Sequence, residues 1–108
     1  MRLHEMQAEQ LIDILEERQE ETIKAEAEES RTKAMFESVK GALLLAQRSE
    51  GVPMEAAKSV IQGLPQYQNA LEGYLEAHTA YERARAAQDR ASKAINLWQT
   101  TRADNRRI

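Results

Sequence analysis

The sequence predicts an all-α fold: an antiparallel helical hairpin of two long helices with a short connecting helix, coiled-coil-like and oligomeric. Three observations carry that prediction. Gly and Pro together number six in 108 residues while 31 % of the chain is charged, a composition of long helices rather than of a sheet. No Gly or Pro falls between residues 2 and 40. Gly51, Pro53, Gly63 and Pro65 then cluster in one stretch, RSEGVPMEAAKSVIQGLP. A chain of this length makes one domain, residues 1–108.

The first helix is expected over about residues 2–49. Leu11, Ile12, Ile14 and Leu15 form a strong apolar patch near its start, and Ile23, Ala27, Ala34, Met35, Val39, Leu43 and Ala46 continue at steps of mostly three or four, the helical period. Between them lies EERQEETIKAEAEESR, a solvated stretch unless a partner covers it. Gly51 suits the position just past a helix C-terminus, and Pro53 suits the first turn of a new helix. A short helix over about 53–62 follows, closed by Gly63.

The last helix is expected over about 65–104. Its stripe is Tyr67, Leu71, Tyr74, His78, Tyr81, Ala84, Gln88, Ala91, Ile95 and Trp98, close to a heptad seam. Folding back between the long helices would set residue 48 opposite about residue 66, and residue 104 opposite about residue 10. Ala supplies much of the apolar content, and the mean hydropathy is −0.69. Small cores of this kind seldom stabilise a lone chain. A homo-oligomer is therefore expected, with Leu11, Ile12, Ile14 and Leu15 as the contact between subunits.

The residue types exclude some chemistry. With no cysteine, disulfides and thiolate metal sites are ruled out. His4 and His78 fall on different helices and far apart in the expected register, and His78 reads as a packed seam residue. Neither a His-Glu-x-x-His pair nor a Gly-rich phosphate loop occurs. The pairs Glu16–Glu17 and Glu20–Glu21 point to different sides of a helix and read as a solvated face. The expectation is a non-enzymatic protein without metal or cofactor. MRLHEMQAEQ lacks the apolar stretch of a secretory signal, and the longest apolar run, Ala42 to Ala46, is far too short to span a bilayer. A cytoplasmic location with no membrane partner is expected.

Charge is the feature that points to a partner. The chain is net −3, yet residues 83–108 hold seven Lys or Arg against two acids, and residues 1–29 hold ten acids against three bases. On a helical wheel Arg83, Arg90 and Lys93 fall within about 80° of one another, on the side away from the seam. Arg85 and Arg107 extend that side, and Arg102 and Arg106 complete the tail. Such a stripe suits a phosphate backbone, which is bound by charge without sequence information. The alternative is that Glu and Asp of the first helix pair with these cations. A second, smaller group lies in SRTKAMFESVKG: Arg31, Lys33 and Lys40. Tyr67, Tyr74, Tyr81, Trp98 and Phe36 have the spacing of packed residues rather than of base-stacking platforms.

The order of parts, TKAMFESVKG within a long helix, then EAAKSVIQ, then a long helix opening with aromatics and ending basic, resembles the UvsY-type recombination mediators of tailed phages over about residues 25–105. That family carries Lys-Ala-basic-apolar-acid-aromatic-aromatic-x-Gly. Lys33, Ala34, Phe36, Glu37 and Gly41 match it, while Met35 stands for the second basic residue and Ser38 and Val39 for the aromatic pair. The resemblance implies a phage protein in the cytoplasm of an infected cell. It implies a homo-oligomer that binds single-stranded DNA and helps a recombinase displace the single-strand-binding protein. Lys33 is the DNA contact it implies directly. Arg31, Lys40, Arg83, Arg90, Lys93, Arg102, Arg106 and Arg107 join it on local charge. The competing expectation is a protein-binding helical module, either a phage inhibitor of a host protein or a virion or packaging scaffold, with the acidic first helix as its contact surface.

Overall fold

In the computed structural model, the chain is described over residues 2–106, with side chains from 7 to 103. Three helices make up the described fold: α1 (Arg2–Ser49), α2 (Met54–Gln62) and α3 (Pro65–Arg106). They divide into two compact units. The connector unit is Glu26–Ala80, and the terminal unit combines Met1–Ala25 with Tyr81–Ile108.

The helix ends follow local backbone rules. Gly51 takes φ +86, a left-handed conformation that costs glycine little. Its N–H donates to the Arg48 carbonyl at 3.0 Å, and the Val52 N–H donates to the Gln47 carbonyl at 3.1 Å. This is the Schellman pair that satisfies the last carbonyls of a helix. Pro53 precedes α2 with φ −60 and ψ 150, and its carbonyl accepts the Ala57 N–H at 2.8 Å. Gly63 ends α2 in a right-handed conformation. The Leu64 carbonyl then accepts the Gln68 N–H at 3.1 Å, so Pro65 is the first residue of α3, where its missing N–H is harmless.

Among the described residues, the buried side chains all lie in the connector unit: Thr32, Phe36, Ala57, Ile61 and Ala77. Ala57 and Ile61 are four apart on α2 and almost wholly covered, so one face of this nine-residue helix is the plug of the core. Phe36 of α1 sits edge-on to Tyr67 at 5.1 Å between ring centres and stacks beside Tyr74 at 6.4 Å. Thr32 is buried without cost because its hydroxyl donates to the Glu28 carbonyl at 2.8 Å.

Two expectations change here. The interior position on this turn of α3 is Ala77, while His78 is 47 % exposed in its side chain. Tyr74 is followed at both three and four residues by candidates for the seam, and the smaller side chain turns inward. The axial register also differs. Tyr67, in the first turn of α3, lies against Phe36, and His78 lies against Glu29; the expected register would have set His78 opposite about residue 36. The offset is about two turns. Past Phe36, α1 continues to Ser49, roughly 20 Å at 1.5 Å per residue. The chain must travel back over that distance before α3 begins, and α2 with its flanking turns makes the return.

In the terminal unit no side chain among the described residues is buried. Leu11 and Leu15 are half-covered, whereas Ile12 and Ile14 are exposed. Two residues apart on a helix, Ile12 and Ile14 diverge by about 160°, so the expected contact patch is a half-covered ridge with an exposed isoleucine on each flank. Among the described residues no helix is long and apolar enough to cross a membrane.

Candidate nucleic-acid interface

The two groups of cations foreseen from the sequence fall in different units. In the connector unit, Arg31 is engaged: its guanidinium holds the Glu28 carboxylate through Nε at 2.9 Å and through Nη2. This fork–fork contact pulls the Glu28 carboxyl below the ordinary carboxylate range and raises Arg31, the hydrogen bond being the larger cause in both. Lys33 is exposed and Lys40 half-covered, and neither takes part in an ion pair among the described residues. Phe36 of the same stretch is committed to the aromatic core with Tyr67 and Tyr74, and is not free to stack on a base. Tyr74 in turn lies 6.2 Å from the His78 ring.

In the terminal unit, Arg83, Arg85, Arg90 and Lys93 are all exposed. The ion pairs of the described residues join Arg18 to Glu21, Arg31 to Glu28, Lys58 to Glu55 and His78 to Glu29. None takes in a cation of the stretch 83–93, although acidic residues of α1 belong to the same unit. Among the described residues, Arg83, Arg85, Arg90 and Lys93 are thus not neutralised by direct contact with α1.

Arg90 has a neighbourhood that the helical wheel does not show. It is exposed and borders an open groove of about 280 Å³, lined also by Leu11, Ile14 and Arg18 of α1 and by Ala87, Ala91 and Ala94 of α3. The three alanines leave room for the groove because their side chains end at Cβ. Further along α3, the Arg102 guanidinium lies over the Trp98 ring, 5.3 Å from its centre, a cation–π geometry. The Arg106 side chain and Arg107 lie outside the described residues.

Sequence reasoning missed Arg18 and the alanine floor, which only pairing of the two helices brings together. Trp98, a seam residue in the sequence reading, is half-covered; its four-residue spacing to Arg102 was a further signal, of a ring–cation pair on a helix, that this reading did not use. Among the described residues no group of three metal-ligating side chains occurs. Comparison with protein-family models, with curated proteins and with solved structures returns no match.

Proposed function

We propose that this protein binds single-stranded DNA without sequence preference and, as a homo-oligomer, helps a recombinase load in place of the single-strand-binding protein. One observation carries the DNA part: Arg83, Arg85, Arg90 and Lys93 stand exposed on fewer than four turns of one helix, with no ion pair among the described residues. Unneutralised cations gathered on one helix attract a phosphate backbone even when the chain as a whole is acidic. The recombinase part rests on the resemblance of residues 25–105 to the phage mediators. The oligomer part rests on exposed Ile12, Ile14, Ile23 and Leu97 beside a terminal unit with no buried side chain among the described residues.

The test is fluorescence anisotropy of a labelled oligo-dT. Four phosphate contacts on a single strand give a log–log salt slope near −2.8, so affinity should fall ~50-fold from about 50 to 200 mM salt. Absence of binding at tens of micromolar would remove the reading. Sedimentation should show a species larger than one chain, and a monomer at micromolar concentration would remove the oligomer.

A second reading has its own support. An acidic α1 carrying Ile12, Ile14 and Ile23 at the surface also suits a protein partner, as an inhibitor or a scaffold would have. Loss of the DNA reading leaves this one.

A further inference from the structure

We infer that Trp98 is a base-stacking platform, in which one nucleobase lies on the indole face opposite Arg102 while Arg90 holds a neighbouring phosphate; this rests on the single-stranded DNA reading. Arg90, Ala94, Trp98 and Arg102 follow one another at four-residue steps, which makes them a single oblique row on the surface of α3. Helical side chains lean toward the N-terminus and cover the turn before their own Cα. Arg102 therefore leans over Trp98, as its 5.3 Å contact records, and Trp98 leans over Ala94. Ala94 is exposed and ends at Cβ, and Trp98 is only half-covered, so the neighbour on the side of the indole away from Arg102 along this row is a small residue.

Arg90 stands eight residues back along the row, about 12 Å, exposed and bordering the apolar groove of Leu11, Ile14, Ala91 and Ala94. The row thus reads cation, gap, ring, cation, with a gap floored by methyl groups. A flat apolar ring with exposed edges and a phosphate on each side is the chemistry such a row recognises, and a single strand presents it where a duplex does not. The rings of the connector unit do not compete for this role. Phe36, Tyr67, Tyr74 and His78 are occupied with one another in the connector unit, while the ring contact recorded for Trp98 is the Arg102 guanidinium.

Trp98 is the single tryptophan of the chain, so its emission reports on this site alone. The experiment follows Trp98 fluorescence and oligo-dT anisotropy together in the full-length protein, with a duplex and an abasic strand of equal length as controls. Stacking predicts quenching that saturates with the anisotropy and is absent with the abasic strand. Trp98→Ala should weaken oligo-dT binding about 5- to 100-fold with an unchanged salt slope, because no phosphate contact is lost. Trp98→Phe, which keeps a ring, should recover most of that loss. If anisotropy shows binding while emission stays constant and Trp98→Ala binds as tightly as the parent, the stacking site is overturned and the DNA reading stands. If anisotropy shows no binding, the DNA reading falls and the stacking site with it.

Discussion

The imidazole Nδ1 of His78 on α3 lies 2.6 Å from the Glu29 carboxylate on α1, across 49 positions of sequence. The side-chain hydrogen bonds of the Thr and Ser residues close within one helix; this one crosses between the long helices of the connector unit and marks their register. Glu29 is 20 % exposed and His78 half exposed in their side chains, so solvent screens the pair only in part. Each of His78→Ala and Glu29→Gln should lower stability by about 0.5–1.5 kcal/mol. The double mutant should cost less than the two added, because both remove one contact. Urea titration of the four proteins measures the coupling, and strict additivity would mean that the contact does not hold in solution.

Gly51 should be sensitive for a purely conformational reason. A Cβ added there meets nothing within 4 Å, but φ is +86. Gly51→Ala should cost about 1–2 kcal/mol from the left-handed conformation alone. Gly63, with φ −88, and with its nearest neighbour at 3.7 Å, should accept Ala with no loss, or gain about 0.4–1 kcal/mol. Thermal melts of the two variants should therefore move in different directions.

Phe36 and Met35 are neighbours with opposite fates. Phe36 is 8 % exposed against two tyrosine rings, whereas Met35 is 52 % exposed. Phe36→Ala should cost about 3–5 kcal/mol, a large share of the stability of so small a domain. Met35→Ala should stay within about 0.5 kcal/mol. Chemical denaturation monitored by circular dichroism separates them.

Arg90 and Lys93 should act on the salt slope as well as on affinity. Replacing both with Gln removes two phosphate contacts, and the log–log slope should flatten by about 1.4. Arg31→Gln, whose guanidinium is held by Glu28, should leave the slope as it was. Equal slopes for parent and Arg90/Lys93 variant would take these two residues out of the interface.

Glu28 gives a pH signature. The Arg31 hydrogen bond holds its carboxyl below the ordinary range. A depressed folded-state value means that the stabilisation is complete above the unfolded carboxylate range and disappears as pH falls through the lowered value. Carboxyl NMR titration should find Glu28 protonating at lower pH than the glutamates around it, and Arg31→Gln should return it to their range.

The helices and their ends could be read from residues alone, because both obey rules confined to a few neighbouring positions. A left-handed Gly51, a Pro65 with no N–H to lose and a stripe at steps of three and four mean the same thing in any chain. That Phe36, Tyr67 and Tyr74 are packed residues was legible from their spacing, but their pairing with one another was not, since the expected register set residue 36 opposite about residue 78. Which cations are engaged was not legible. The periodicity of a stripe states which side of a helix faces its neighbour and says nothing about how far one helix slides along the other. That offset was decided by α2, whose Ala57 and Ile61 bury themselves in the core and carry the chain back past the end of α1. In the connector unit that offset set Glu29 against His78; in the terminal unit, where the pairing of the two helices decides the contacts, Arg90 borders an apolar groove and the cations of residues 83–93 have no ion pair among the described residues.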